Sequence, residues 1–467
     1  MPKLLENSVR RALFQMAFPM LAGTIAMNSY NLADTWFVSR LGTIPLAAMG
    51  YVFPVAMLLR FLAGGLGTGV TTLTSHALGR TDRADASRVV THGVILIVIF
   101  SVGMALAGFF TVTPLFKILG ADDLVLPLVR SYMWTWYAGA VFMALPMMGG
   151  GILISLGESK SASTMMVTGS LANCLLDPIL IFGWLGFPAL GIWGAALATV
   201  IAQAGVTAWL IYLLTVRHRL LRLNRPELSL FPRSCRQILG FAIPGAVSMM
   251  LMPFSAAVMV FLASSYGNRA VAAVGAAIRV ENFAFVIPMA LGISLIPFVS
   301  QNFGGRRLDR IRQAKNYSAL FAFVYGLFVA LVFFLAAPFL ASVFTREPGV
   351  AAVFVLYVRI VSFGYGMMEI HRYCGFILTG LHRPLLATVL NLIRVGALLI
   401  PLCALGSRFF GLGGIFTGRL LTDLAAGALG LLWVTRLLRR HRDGSAHSSD
   451  AGEPDAATDR RAGLADG

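Results

Sequence analysis

Twelve apolar stretches, separated by short connectors that carry most of the lysines and arginines, limit what this chain can fold into. A helix of about 20 apolar residues crosses roughly 30 Å of hydrocarbon, where every backbone N–H and C=O has to be satisfied within the segment itself. The stretches fall near 13–38, 46–72, 91–113, 127–153, 163–184 and 190–214, then near 238–263, 272–298, 317–341, 352–378, 385–406 and 411–435. With 58% hydrophobic and only 12% charged residues, the 467-residue chain reads as an all-α polytopic membrane protein rather than a string of soluble domains.

A net charge of +17 would suit a nucleic-acid binder, but the placement of the charge argues otherwise. Lysine and arginine concentrate in the connectors on one side, which the positive-inside rule makes cytoplasmic. No nucleic-acid partner is expected, and an even number of spans puts both termini in the cytoplasm. The four cysteines, Cys174, Cys235, Cys374 and Cys403, are scattered and read as packing residues. The residues before the first span lack a cleavage pattern, so an uncleaved start is expected.

The only long basic connector between spans holds Arg217, Arg219, Arg222, Arg225, Arg233 and Arg236 and divides the spans into two sets of six. The expected organisation is a first lobe over 1–217, a cytoplasmic linker over 218–237, a second lobe over 238–442 and a disordered cytoplasmic tail over 443–467, whose Gly, Ala, Ser and Asp show no apolar period.

The two sets are copies of each other. Phe18-Pro19 matches Ile243-Pro244, Gly42 with Ala47, Ala48 and Gly50 matches Gly267 with Ala272, Ala273 and Gly275, and Ser75-His76-x-x-Gly79 matches Ser300-Gln301-x-x-Gly304, all at an offset of 225 residues. An offset of 223 pairs Gly157 with Gly380 and Pro178 with Pro401. Copies of six spans share one orientation and are expected to form two pseudo-symmetric six-helix lobes around a central cavity, with alternating access by rocking. The copies differ at their acids: Asp34 falls opposite Met259, and Asn173 and Asp177 fall opposite Gly396 and Ile400.

An intramembrane acid costs about 2.5–3.5 kcal/mol on insertion scales, so a retained one is a functional candidate. Five lie within the spans: Asp34, Asp177, Glu281, Glu369 and Asp423. Asn173 and Asp177 are one helical turn apart and share a face. If that face meets Asp34, two carboxylates and an amide sit together in low dielectric, which favours holding a proton and could alternatively hold Na+. Tyr132, Tyr137 and Thr199 are candidate hydroxyls for the same pocket. Glu281 and Glu369 are candidate second-lobe or substrate acids, each with a local alternative: Arg279 stands two residues before Glu281 and Arg372 three after Glu369. Arg60, Arg394, Arg419 and Asp423 are expected to partner one another in some combination.

Methionine pairs such as Met147-Met148 and Met249-Met250 suit a cavity for varied apolar cargo, although ordinary packing accounts for most of them. The sequence has no Walker loop, no HExxH and no GxSxG, so neither direct ATP use nor enzymatic catalysis is expected.

These residues resemble the multidrug and toxic compound extrusion (MATE) family. The resemblance covers about 10–440 and rests on NLADTWFVSRLG with LAAMG, GESKSASTMMVTGSLANCLLDPILIFG, GIWGAALATVIAQ and AVAAVGAAIRVENFAFVIPMALGISLIPFVSQNFGGRR. It implies a monomeric, multi-pass protein of the bacterial inner membrane that exports small organic, often cationic drugs by cation-coupled antiport, the ion being a proton by preference or Na+. It needs no cofactor, and its only other partners are membrane lipids. The resemblance places the ion site at Asp34, Asn173, Asp177 and Tyr132, with Thr199 beside them, and helix bending at Pro19. Two features depart from the family pattern. Span seven, SMMLMPFSAAVMV, lacks the acid of the NorM-like branch, and Gly157-Glu158-Ser159-Lys160 stands where Gly-Asp is usual, so the chain looks closer to the DinF-like branch. The alternative is a flippase of related fold for lipid-linked precursors or polysaccharides, which a phosphate-binding set of arginines would favour.

Overall fold

The computed structural model describes residues 6–222 and 227–450, with side chains described as far as residue 440. Among these residues there is helix and no strand. The first lobe is α1 (Val9–Ser39), α2 (Thr43–Gly79), α3 (Arg83–Ile118), α4 (Leu126–Ala138 and Ala140–Ser155), α5 (Ser159–Phe182) and α6 (Gly191–Tyr212). The second is α7 (Phe231–Ser264), α8 (Asn268–Ala284 and Val286–Gly304), α9 (Leu308–Phe344), α10 (Pro348–Val361 and Tyr365–Gly380), α11 (Pro384–Leu392, continuing to 409) and α12 (412–450). The sequence expectation of twelve spans in two lobes holds.

Several helices overrun the hydrocarbon. The 37 residues of α2 would measure about 55 Å. One span bends sharply where the chain lacks a side chain to pack, and one connector turns on a residue outside the helical φ range. The halves of α4 meet at 54° beside Gly139. The chain turns from α11 to α12 at Phe410 and Gly411, with Gly411 at φ 59°. The shared offset has a conformational meaning as well: Gly42 and Gly267, equivalent in the two copies, cap the starts of α2 and α8 with φ of 115° and 88°, where a side chain would be strained.

Two expected boundaries shift. Helix α7 begins at Phe231, inside the stretch expected to be linker. Residues 218–222 of the connector lie along α3: Ser87 donates to the Leu220 carbonyl at 2.8 Å, the Arg222 N–H donates to Thr91 at 3.1 Å, and Leu220 and Leu221 are buried. That part of it is docked, because α3 offers its backbone groups hydroxyl partners. At the far end, α12 continues as helix to Asp450, where no structure was expected from 443 on; once a helix is nucleated, each added residue brings one more hydrogen bond. Arg225 and residues 451–467 lie outside the described residues.

The lobes meet chiefly through α1 and α2 on one side and α7 and the second half of α8 on the other. Contact is tightest at the end bearing the 79–83 and 304–308 connectors. A Cβ on Gly79 would strike the Gln301 carbonyl, and one on Gly304 would strike the His76 carbonyl, so the two repeats clasp each other reciprocally. Gly65 and Gly69 similarly admit the backbone of α7 at Ala242 and Ile238. Ser300 donates to the Thr72 carbonyl at 2.7 Å across the seam. Above it, the His76 and His382 rings lie 4.2 Å apart, flanked by Phe303 and by Phe241 on His382.

His382 sits in the turn between α10 and α11, outside the spans, and faces His76, Arg80 and the Ser300 hydroxyl. Asp85 acts on His76 but is itself paired with Arg80 at 2.7 Å. Burial, then His76 and Arg80, push His382 down to about 3. A depressed histidine stabilises the clasped state above its ordinary value near 6.5, and that stabilisation is lost as pH falls below it. Lowering pH from 7.5 to 5.5 should therefore shift the clasped–parted equilibrium about tenfold toward parting. Spin labels on the 81 and 306 turns should report this shift, and His382→Phe should abolish it. A pH-independent distance distribution in the parent protein would refute it.

Candidate ion-coupling site

The first-lobe site is assembled by α1, α2, α4, α5 and α6. Helix α1 carries Tyr30 and Asp34 one turn apart on one face, both buried, and packs along α5. Pro19 interrupts the hydrogen bonding of α1 near its start, and the Ser163 hydroxyl of α5 donates to the Pro19 carbonyl. This leaves α1 anchored to α5 at the residue where its own ladder is weakest. Gly23, the next turn on, is held against Met166 and Ser163.

Helix α5 brings Asn173 and Asp177 to the same pocket, 2% and 0% exposed, against 8% for Asp34. The Asn173 amide satisfies its neighbours when its nitrogen donates to Asp177 Oδ2 at 3.2 Å and its oxygen accepts from the Thr199 backbone N–H at 3.1 Å, with the Thr199 hydroxyl also 3.1 Å away. Tyr132 on α4 is buried within electrostatic reach of Asp34, Asp177, Tyr30 and Arg60. Asp34, Asn173, Asp177, Tyr132 and Thr199 therefore converge, whereas the Tyr137 ring packs against Gly108. One oxygen of each acid, Asp34 Oδ1 and Asp177 Oδ1, is buried with no hydrogen-bond partner among the described residues. An ionised carboxylate in that setting is costly, and a proton or a small cation between the acids would relieve it.

Two further residues belong to the pocket. Tyr30 was overlooked, although its spacing from Asp34 gave the signal. Arg60 on α2, expected among the second-lobe charges, instead lies within electrostatic reach of Tyr30 and Asp34. A positive charge here limits how much further cation the pocket accepts.

The second-lobe acids divide differently. Glu281 does not pair with Arg279, which is exposed and has no ion pair among the described residues. It accepts from Arg419 Nη2 at 2.7 Å and from the Tyr357 hydroxyl at 2.9 Å. The reason is geometric: neighbours two apart on a helix point to different faces, while Glu281 faces α12. Arg419 reaches Asp423 Oδ2 at 2.8 Å, and Arg394 holds Asp423 Oδ1 at 2.8 Å. Two arginines and two acids thus neutralise one another and tie α8, α10, α11 and α12 together. Arg394 lies in a π-helical turn, Ile393–Leu399, a widening of the helix common at special sites. Glu369 is 1% exposed and pairs with Arg372 at 3.1 Å; both its oxygens lack a hydrogen bond of good geometry. Between the lobes, Met147 and Met249 converge on Gly64, 2.7 and 3.1 Å from where a Cβ would stand, whereas Met148 and Met166 are packing residues.

A two-lobe, internally duplicated helical transporter with acids buried inside each lobe is the class this arrangement defines. The MatE family profile matches residues 19–179 and 244–405, more than half of the chain and once per lobe, and the chain belongs to that family of transporters. It is similar to the FAD transporter of Shewanella oneidensis, 34% identical over 91% of this chain and 94% of that protein. It is 26% identical to the multidrug export protein MepA of Staphylococcus aureus over 93% of this chain and 95% of that one. The crystal structure of the Vibrio cholerae MATE transporter VcmN in the bent form superposes with a TM-score of 0.88 at 29% identity, covering 92% of this chain and 97% of that one.

The second-lobe network gives a direct test. Removing Arg419 by Arg419→Met strands Glu281 and half of Asp423 and should destabilise by about 3–5 kcal/mol, whereas Arg279→Met should cost less than about 1 kcal/mol. Thermal unfolding in detergent compares them; equal losses would show that Glu281 is held locally after all.

Proposed function

We propose that this transporter exports small organic molecules in exchange for protons, with Asp34 as the group that loads and releases the ion. The observation that carries this reading is the pair of partnerless buried oxygens on Asp34 and Asp177, two acids within electrostatic reach of each other, with Asp177 held by Asn173 and, through it, Thr199. A proton entering between the acids removes a charge from low dielectric. Its departure restores that charge and pulls Arg60 and Tyr30 back toward Asp34. Because Asp34 and Pro19 share α1, a change at the acid is transmitted to a helix already anchored and weakened at Pro19. Na+ is the alternative ion; Arg60 beside the site argues for the proton.

The clasped end carries Arg80, Arg83, Arg217, Arg306, Arg307 and Arg383, which supports a cytoplasmic orientation for it and for both termini in a bacterial inner membrane. With that end closed, the cargo path opens toward the opposite face. The protein is proposed to act as a monomer. For cargo, the likeness to MepA favours drug-like organic molecules, cations among them. The likeness to a FAD transporter, with Arg60 in the first lobe, favours a second reading in which the cargo is an anionic flavin dinucleotide. The lipid-linked precursor alternative loses support, because Arg394 and Arg419 are neutralised by Asp423 and Glu281 and are not free to grip a phosphate.

Purified protein in proteoliposomes separates these readings. A proton gradient, not a sodium gradient, should drive export of ethidium or of FAD, and Asp34→Asn should abolish the gradient dependence while leaving the protein folded. Undiminished proton-driven export by Asp34→Asn would remove the mechanism, and export of one cargo without the other decides the class.

A further inference from the structure

One group of cations takes no part in either lobe's acid chemistry. At the 304–308 end, α9 and α12 diverge and leave a cleft lined by Leu308, Asp309, Arg312, Lys315, Leu438 and Arg439. Lys315 is 8% exposed, and its ammonium donates to the Thr435 hydroxyl at 2.8 Å. An ammonium has three donors, and Thr435 uses one. Arg312 and Arg439 feel the Lys315 charge from the two rims, and neither forms an ion pair among the described residues. Asp309 is the one acid lining the cleft; it lies in the first turn of α9, where the helix N-terminus already favours it. Three cations facing a single unpaired acid leave the cleft positive.

The position of the cleft says what could fill it. Below it α9 presents Leu320, Phe323, Val324 and Leu327, all exposed large apolar side chains, as does Leu432 of α12. A positive notch at the level where apolar helix surface gives way to charge is a place for a phosphate whose own chains continue along the helices.

We propose that this cleft binds the phosphodiester headgroup of an anionic membrane lipid, with Lys315 contacting the phosphate from within and Arg312 and Arg439 closing over it from the rims. The acyl chains then cover the outer face of α9 and α12. The site does not depend on which ion or cargo is transported, nor on which leaflet lies at this end. Its consequence is mechanical: the lipid ties the start of α9 to the end of α12, next to the α8–α9 connector that borders the interlobe clasp.

The test uses the full chain in nanodiscs of phosphatidylcholine with graded phosphatidylglycerol, reading retained lipid by native mass spectrometry after gentle extraction. At about 1 kcal/mol for each juxtamembrane arginine, the Arg312→Gln/Arg439→Gln double variant should bind phosphatidylglycerol roughly 30-fold more weakly. Arg440→Gln, which removes a charge one residue beyond the cleft, should bind like the parent. Inorganic phosphate at millimolar concentration should not displace the lipid. Parent-like retention by the double variant overturns the site, as does an equal loss in Arg440→Gln; displacement by free phosphate overturns the lipid as its occupant.

Discussion

The structure depends on keeping two carboxylates, Asp34 and Asp177, inside a helical lobe with an incomplete set of partners. Within hydrocarbon a buried charge has to be paired, protonated or bound to a cation. The second lobe takes the first course: Glu281, Arg419, Asp423 and Arg394 form a chain of ion pairs across α8, α11 and α12, and Glu369 pairs with Arg372. The first lobe leaves one oxygen on each acid without a donor. The duplicated halves share a fold and differ in how they hold their acids: each buried second-lobe acid has an arginine partner, whereas Asp34 and Asp177 form no ion pair among the described residues.

What joins the halves is backbone rather than charge. Glycines at 65, 69, 79 and 304 bring helices so close that a methyl group would collide with a carbonyl. Such contacts weaken quickly on displacement, because a gap of about 0.5–1 Å already forfeits a quarter to a half of the dispersion well. A seam of this kind suits two discrete states better than a graded one. It needs only a modest bias from α1, which reaches from the acid pocket to the α8 side of the seam.

Much of this was legible in the sequence because hydrocarbon imposes simple rules. Span number follows from apolar length, and the repeat from Gly and Pro recurring at one offset; the reciprocal contact of Gly79 and Gly304 shows that the shared offset marks a true symmetry of packing. Asn173, Asp177, Thr199, Tyr132 and Asp34 could be gathered because one-turn spacing and the family resemblance agreed. The partners of Glu281 and Arg60 were not legible, since helix rotation decides which distant span a face meets. Sequence proximity favoured Arg279, whereas the rotation of α8 turned Glu281 toward Arg419, more than a hundred residues away. The helical course of α12 beyond 443 was missed for a different reason: composition reports the absence of a core, not whether an existing helix stops.

The account stands or falls on whether Asp34 gives up a proton when cargo is handled. Infrared difference spectroscopy of the reconstituted protein, recorded on adding cargo, reads the carbonyl stretch of a protonated carboxyl directly. The account predicts loss of such a band in the parent protein and no such change in Asp34→Asn. A band that persists unchanged through cargo binding, or one that disappears equally in Asp34→Asn, would contradict it.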